Sequence, residues 1–329
     1  MLQFIKNWTL PLAMLVGVIG YFCFAAFDFL TPTKPVVKVM IAWLTPFLIF
    51  AQLLLTFCKV EVKELVPQRW TIWLLLIQFV SCVIIASLLI FLPLDEYWSV
   101  ALQGTMVCLI CPTATAAAVI TGKLGGSAAS LTTYTLLSNL LAAVIVPLVF
   151  PLVEPSDMAF GESFLRILGK VFPLLLFPFF TAVLLRRFCP PVHRFLVGLK
   201  DMAFYLWAVA LIIVMGQTTK SVVEGDTSIG EEFLIAFFAL VVCCLQFWAG
   251  KNIGGLYSDR ISGGQALGQK NTVLAIWMAC TYLNPVSAIA PGSYVVWQNI
   301  INSWQLWKKR QKGLSSTYKC NFLGADNKQ

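Results

Sequence analysis

Long apolar runs separated by short polar segments dominate the pattern along the chain. A transmembrane helix needs about 20 predominantly apolar residues, and runs of that length recur through most of the sequence. They do not alternate between apolar and polar residues, as the strands of a membrane β-barrel do. The pattern predicts ten transmembrane helices, near residues 8–28, 37–57, 70–91, 98–121, 128–150, 164–184, 201–218, 232–250, 262–281 and 288–307.

Composition supports an all-α polytopic membrane protein. Hydrophobic residues make up 59% of the chain and charged residues only 12%, whereas a soluble domain carries about 25% charged residues. The net charge of +8 lies largely in short loops and in the basic segment 308–312, which is typical of cytoplasmic loops and does not indicate nucleic-acid binding. The ten cysteines show neither a disulfide framework nor a zinc-binding spacing. We therefore expect no metal site formed by these cysteines, and no cofactor.

Loop charges orient the predicted helices. Basic residues such as Lys59 and Lys123 follow the even-numbered helices, and acidic residues such as Glu154 lie in the opposite loops. Positive charge favours the cytoplasmic side, and one loop, which contains Lys34 and Lys38, departs from this rule. The pattern predicts an integral protein of the plasma membrane, the inner membrane in a bacterium, with both termini in the cytoplasm.

The ten predicted helices divide into two groups of five. Corresponding helices begin about 155–165 residues apart, and an odd number of helices per group gives the two groups opposite orientations. Inverted repeats of this kind are the plan of many secondary transporters. We predict a first five-helix repeat over residues 1–162 and a second, inverted repeat over residues 163–312. Residues 313–329 form a short polar tail that we expect to be cytoplasmic and disordered.

Two predicted helices are interrupted at corresponding places in the two repeats. The fourth contains the segment Cys111–Thr115 with Pro112, and the ninth contains Gly268–Asn271. Proline removes a backbone donor and clashes with the preceding turn, and polar main chain at membrane depth is tolerated where it lines a cavity. Matched interruptions are the strongest sequence indication of a transporter's binding site.

Lys270 is the charged residue that the second interruption contains. A lysine at the centre of a transmembrane helix costs about 2.5–3.5 kcal/mol on insertion scales, so such residues usually face a cavity or a partner. The alternative is that Lys270 lies near a helix end and extends its ammonium group to water. With one histidine, His193 in a loop, and no carboxylate inside an apolar run, the sequence does not indicate an enzyme.

Several short motifs, in this order and spacing, resemble the bile acid:sodium symporter family in its bacterial form, over essentially all ten helices. They are Leu76-Ile77-Gln78-Phe79, Cys-Pro-x-x-Thr at 111–115, Gly-x-x-Asn at 268–271, and Val296-Trp297-Gln298-Asn299 followed by Ser303. The resemblance implies a panel domain of helices 1, 2, 6 and 7 and a core domain of helices 3–5 and 8–10. In the core, discontinuous helices 4 and 9 cross. Family members couple sodium to the uptake of organic anions such as bile acids, steroid sulfates, pantothenate or pyruvate.

The chain departs from the family at the ligands of the first sodium ion. In the family these include a Ser-Asn pair after the Cys-Pro interruption, a threonine in helix 5 and a glutamate before the helix 9 glycine. Here the corresponding residues are Ala117, Ala118, Tyr134 and Ala266. Sodium is a hard cation that needs several oxygen ligands, and alanine has no side-chain oxygen. The resemblance therefore implies that this sodium site is lost.

The second sodium site is altered at its centre. The family places a glutamine where this chain has Lys270, while the family's helix 3 glutamine remains as Gln78. An ammonium group repels a cation, and we expect it to occupy the place of the ion, with Gln78 and main-chain carbonyl groups accepting its three hydrogen bonds. A fixed charge, a proton carrier and a direct contact to an anionic substrate all remain open as roles for Lys270.

The sequence thus predicts a secondary active transporter of a small organic anion that works by alternating access in the lipid bilayer, without sodium at the usual sites. The alternatives are a cation/proton antiporter-like carrier that uses Lys270, and a non-transporting membrane sensor. The predicted substrate-binding residues lie at the two interruptions: Thr113, Thr115, Gln269, Asn271 and Thr272.

Overall fold

The structure is a computed structural model that describes residues 2–61, 63, 65–155, 157–199, 202–225 and 228–325. Among these residues, thirteen α-helices follow one another: α1 (Leu2–Ala26), α2 (Lys34–Cys58), α3 (Arg69–Phe91), α4 (Glu96–Ile110), α5 (Ala117–Leu124), α6 (Ala128–Val153), α7 (Phe160–Phe188), α8 (Pro190–Gly198), α9 (Met202–Glu224), α10 (Ile229–Leu256), α11 (Arg260–Gly268), α12 (Thr272–Tyr282) and α13 (Ile289–Ala325). Short 3₁₀ helices at Asp28–Thr33 and Pro285–Ala288 precede α2 and α13.

Six helical segments are long and apolar enough to cross a membrane, and this confirms a polytopic helical membrane protein. They are Phe29–Cys58, Arg69–Phe91, Ala128–Val153, Phe160–Phe188, Met202–Glu224 and Ile229–Leu256. Two further apolar helices are shorter, Leu12–Ala26 and Thr272–Tyr282. The count of ten spans, their inverted arrangement and the orientation of the termini stay predictions.

The two interrupted segments are broken helices. The fourth predicted helix is divided into α4 and α5, and the ninth into α11 and α12. Helix α4 ends at Ile110 because Pro112 has no N–H group and forces the residue before it out of the helical region. Cys111 accordingly has φ −53° and ψ 132°. The second break is shorter, since α12 begins at Thr272, only four residues after α11 ends.

The structure differs from the predicted elements in two segments outside the predicted transmembrane helices. Helix α8, which begins with two prolines, was not predicted. Helix α13 continues to Ala325, through most of the segment that we expected to be a disordered tail, and residues 326–329 lie outside the described residues. The lysines, arginine and glutamine of the segment 308–312 are good helix formers, so the helix extends beyond its apolar part.

Helix packing links two groups, which also contact each other where α6 packs against α7 and where α9 packs against α12 and α13. Helix α9 packs against α1 and α2, and α2 also packs against α7. The second group contains α3–α6 and α10–α13, within which α10 packs against α4, α11 and α13, and α3 packs against α4 and α6. We call these the panel group and the core group. Many contacts recur when the two halves of the chain are exchanged: α1·α9 corresponds to α7·α2, α3·α4 to α10·α11, and α3·α6 to α10·α13.

Helices α10 and α11 approach each other through glycines. A Cβ atom at Gly250 or Gly254 would contact the main chain of α11, and one at Gly263 would contact the main chain of α10. Only glycine permits such close backbone contact. The glycines therefore fix α11 against the long helix α10, and this sets the position from which the second break begins.

Candidate functional site

The main chains of the two breaks pair with each other through one short antiparallel bridge. The N–H group of Ala114 donates to the carbonyl of Gln269 at 3.0 Å, and the N–H group of Asn271 donates to the carbonyl of Pro112 at 2.9 Å. Buried main-chain groups need partners where no helix supplies them. Each break thus satisfies polar groups that the other exposes, and this holds the two breaks face to face.

The ammonium group of Lys270 lies at the C-terminal end of α4. Its Nζ atom donates to the carbonyl of Leu109 at 3.1 Å, and only 1% of the residue is exposed. Carbonyl groups at a helix C-terminus carry partial negative charge, which stabilises a nearby cation. Within the described part of the chain, no carboxylate forms a salt bridge with Lys270. The helix end is therefore the described partner of this charge.

Glutamine side chains satisfy the other terminal carbonyls of α4. Gln78 Nε2 donates to Ile110 at 2.7 Å and to Cys111 at 3.3 Å, while Gln246 Nε2 donates to Cys108 at 3.3 Å. Gln78 differs from our expectation, because it shares the helix end with the lysine instead of accepting from its ammonium. The last carbonyl groups of α4 thus receive donors from three other parts of the core group.

Residues that the family resemblance implies at the first sodium site lie in an apolar cluster. Ala117, Ala266 and Tyr134 pack with Trp70 in this cluster, and all four are buried. The ring centroids of Trp70 and Tyr134 lie 5.9 Å apart, and the Tyr134 hydroxyl donates to Gln78 Oε1 at 3.0 Å. Sequence reasoning missed Trp70, since a tryptophan near the start of an apolar helix is more often an interfacial anchor.

Helix α13 presents three polar side chains, four residues apart, to the second break. The Tyr294 hydroxyl donates to the last carbonyl of α11 at 2.8 Å. Gln298 accepts from the N–H group of Lys270 at 2.9 Å and donates to its carbonyl at 3.3 Å. Asn302 Oδ1 accepts from Gln265 at 2.9 Å. Sequence reasoning missed Tyr294 and Asn302, although polar residues at i, i+4 and i+8 of an apolar helix indicate one shared polar face.

Four of the five predicted substrate-binding residues are buried in the contact between the breaks. Thr113 Oγ1 donates to the carbonyl of Ala266 at 2.6 Å, and Asn271 Oδ1 accepts from the main chain of the first turn of α12 at 3.3 Å. The side chains of Gln269 and Thr272 are also buried and have no partner among the described residues. These four residues are not part of the lining of the cavity between the panel and core groups.

A cavity of about 1910 Å³ lies between the panel group, at α1, α2 and α9, and the core group, at α5, α6 and α13. Its panel side is largely apolar, with Met14, Phe204 and Trp207, and also includes Thr56 and Lys59 at the end of α2. Its core side includes Thr115, the fifth predicted residue, together with polar residues of α6 and α13: Thr132, Asn299, Asn302 and Ser303. The arrangement suits a ligand with an apolar body and a polar group.

Basic residues give this cavity its charge. Lys59, Lys123, Lys309 and Arg310 line it, and none of the described residues in its lining is acidic. Lys309 Nζ donates to the carbonyl of Lys123 at 2.8 Å, so α13 and the C-terminal end of α5 meet there. A cleft lined by charges of one sign raises the local concentration of ligands with the opposite charge. The cavity therefore favours anions.

The N-terminal end of α5 also faces the cavity. Its first residues line the cavity, and Ala116 at its N-cap makes no side-chain hydrogen bond to the helix. Asn302 is 3% exposed and lines the same cavity, and its buried Nδ2 donor has no partner among the described residues. Free N–H groups at a helix N-terminus bind anions. The N–H group of Ala117 already donates to the carbonyl of Ala114 at 3.0 Å, so an anion here would contact the N–H groups that follow Ala117. In contrast, the N-terminus of α12 is capped by its own Asn271.

The fold and the site together define a polytopic helical membrane protein with two paired broken helices beside a basic cavity. No family model matches the chain. A Bacillus subtilis (strain 168) protein named "Uncharacterized sodium-dependent transporter YocS" is 26% identical to it over 268 residues, which are 77% of this chain and 78% of that protein. This similarity supports a transporter role and is consistent with a sodium symporter family.

Proposed function

We propose that the chain is a secondary active transporter of small organic anions, and a member of the bile acid:sodium symporter family. The observation that carries the proposal is the cavity between the panel and core groups, which is lined by basic residues, by Asn302 and by the first residues of α5, whose N-cap makes no side-chain hydrogen bond to the helix. An anionic group at the end of α5 would receive N–H donors there. The apolar panel side then contacts the rest of the substrate.

Alternating access follows from the two helix groups. The core group carries both broken helices, and the cavity lies where it faces the panel group. The recurrence of helix contacts between the two halves of the chain supports an inverted repeat, in which one group moves against the other around a fixed site. The basic lining residues come from segments predicted to be cytoplasmic, so the cavity opens inward in this conformation.

The same proposal holds that sodium does not drive transport through the usual sites. The apolar cluster of Trp70, Tyr134, Ala117 and Ala266 supports this for the first site, because the alanine side chains supply no oxygen ligand. Lys270 supports it for the second site, because its ammonium already lies against the carbonyl end of α4. We assign Lys270 the role of a fixed charge that replaces a soluble cation between the broken helices.

Uptake by proteoliposomes tests the function. The purified full-length protein is reconstituted and supplied with radiolabelled taurocholate, pantothenate or pyruvate, each with sodium or choline outside and with or without a pH gradient. We expect uptake and exchange of at least one anion under conditions without sodium. Binding of an anion without exchange would support the non-transporting sensor instead, and uptake tied strictly to a pH gradient would support the antiporter-like carrier.

A matched pair of variants tests the binding geometry. Asn302→Asp keeps the acceptor for Gln265 but replaces the free donor by a negative charge, so we expect the affinity for the transported anion to fall at least about tenfold. Asn299→Asp adds the same charge on the same helix, also in the cavity lining, but the Nδ2 atom of Asn299 already donates to Val295. Equal losses in the two variants would mean that Asn302 acts through charge alone and not by contact.

Membrane topology is tested by reporter fusions. A fusion after Gly313 should report the cytoplasm, and one after Pro155 should report the opposite side, because basic and acidic loops alternate along the chain. An odd number of spans, or a C-terminus outside the cytoplasm, would contradict the inverted repeat. A fusion after Lys123 serves as the internal control for the cytoplasmic side.

A further inference from the structure

Gln246 and Tyr294 form a buried hydrogen-bonded pair that has no role in the mechanism so far. Gln246 lies on α10 and is 4% exposed, and Tyr294 lies on α13 and is fully buried. Gln246 Nε2 donates to the Tyr294 hydroxyl at 3.3 Å. Buried polar side chains are expensive unless they are hydrogen-bonded, so a pair of this kind inside two apolar helices calls for a function or a structural reason.

The pair connects the carbonyl ends of the two broken helices. The Tyr294 hydroxyl donates to Gly268, the last residue of α11, at 2.8 Å. Gln246 Nε2 donates to Cys108, in the last turn of α4, at 3.3 Å. Both helix ends carry partial negative charge, so donors placed between them stabilise an approach that would otherwise be unfavourable.

A similar pair in the first half of the chain donates to the end of only one broken helix. The Tyr134 hydroxyl on α6 donates to Gln78, which donates to the end of α4. Tyr294 instead accepts from Gln246 and donates directly to the end of α11. The second pair is thus the one that joins both broken helices.

We infer that Gln246 and Tyr294 are positioning residues, which hold the end of α11 against the end of α4 and thereby fix the segment Gln269–Asn271. This segment contains Lys270, whose main chain is held by Gln298 on the same face of α13. The consequence for transport rests on the proposed function, whereas the fixing of the segment can be measured without any substrate.

Hydrogen–deuterium exchange of the full-length protein in lipid nanodiscs tests the positioning. Tyr294→Phe keeps the ring and removes the hydroxyl. We expect exchange to rise at least about tenfold in peptides that contain the paired amides of Ala114 and Asn271, with little change elsewhere. Tyr282→Phe is the matched control, because it removes a buried hydroxyl that has no partner among the described residues. Unchanged exchange at both amides, or an increase spread evenly over the protein, would overturn the inference.

Uptake then tests whether the two residues act as a unit. The probe is whichever of taurocholate, pantothenate and pyruvate the parent protein transports fastest. We expect Tyr294→Phe and Gln246→Met each to lower Vmax/KM about tenfold, the double variant to be no more than threefold worse, and Tyr282→Phe to stay within twofold. A hundredfold loss in the double variant would show independent effects. If the parent transports none of the three anions, the proposed function fails while the exchange result still decides the positioning.

Discussion

The two breaks differ in whether one of their helix ends faces the cavity. In the first break, between α4 and α5, the carbonyl end is covered by Lys270, Gln78 and Gln246, while the amide end is uncapped and faces the cavity. In the second break, Asn271 caps α12, and every residue of the break is buried. The second break therefore supplies a charge to the first and offers none of its own helix ends to the cavity.

This difference explains how a lysine fits inside an apolar core. A buried ammonium without a partner is strongly unfavourable, and its described neighbour is the carbonyl end of a helix rather than a carboxylate. A carboxylate partner would neutralise the site, whereas carbonyl groups leave the positive charge in place. The positive charge is therefore retained at the end of α4.

The largest expected effect comes from removal of this charge. In Lys270→Met the carbonyl of Leu109 loses its donor and the end of α4 loses its cation, so we expect uptake to fall at least about 100-fold, or roughly 2.7 kcal/mol. Expression and membrane insertion should be at least equal to those of the parent, since a central lysine opposes insertion. Uptake by proteoliposomes and the amount of inserted protein are the measurements.

Lys220→Met is the control for this substitution, because Lys220 is exposed and pairs with Glu224 on the surface of α9. It should leave uptake within about twofold of the parent. Normal uptake by Lys270→Met under every gradient would mean that the charge is incidental, and the contrast between the two breaks would lose its functional meaning.

The helix boundaries were largely predictable from the sequence, but the partners inside the core were not. Apolar length alone placed the long helices, and Pro112 and Gly268 located the breaks. The packing partners of Trp70 and the hydrogen-bond partners of Gln246 depend on which helices become neighbours in space. Hydrophobic patterning does not encode which helices are neighbours. Lys270 drew attention by its charge, whereas the Tyr294 hydroxyl was hidden in a residue that also suits an apolar face.

A second prediction concerns the tight packing of the second break. A Cβ atom at Gly268 would lie 2.5–2.6 Å from two ring carbons of Phe247, so we expect Gly268→Ala to destabilise the protein by about 2 kcal/mol through overpacking. Ala116→Val enlarges a side chain in the first break, where it faces the cavity, and should change stability by less than about 0.5 kcal/mol. Thermal unfolding in detergent measures the stability of both variants. Similar losses of stability would contradict the view that the second break is tightly packed and the first break faces open space.

A third prediction concerns the cap of α12. Asn271→Ala removes the side chain that accepts from the first turn of this helix, and the loss of such a cap lowers stability by about 1 kcal/mol. Asn271→Asp retains the acceptor and should recover most of that stability. Chemical unfolding monitored by tryptophan fluorescence is suitable. If Asn271→Ala leaves stability unchanged, the cap contributes little, and the amide ends of the two breaks are less different than their hydrogen bonds indicate.

The smallest effect is expected from sodium. The relative from Bacillus subtilis carries "sodium-dependent" in its name, whereas we propose that Lys270 and the apolar cluster replace the two implied sodium sites in this chain. Uptake measured in sodium and in choline should therefore agree within about twofold. Lys270→Gln restores the residue type of the family at one position, yet it should not create sodium dependence, because Ala117, Ala118 and Ala266 still provide no side-chain oxygen ligands. A tenfold stimulation of the parent by sodium, about 1.4 kcal/mol of coupling, would mean that an ion binds despite the ammonium at the end of α4. In that case main-chain carbonyls of the breaks would have to serve as ligands, and the first break would hold two positive charges instead of one.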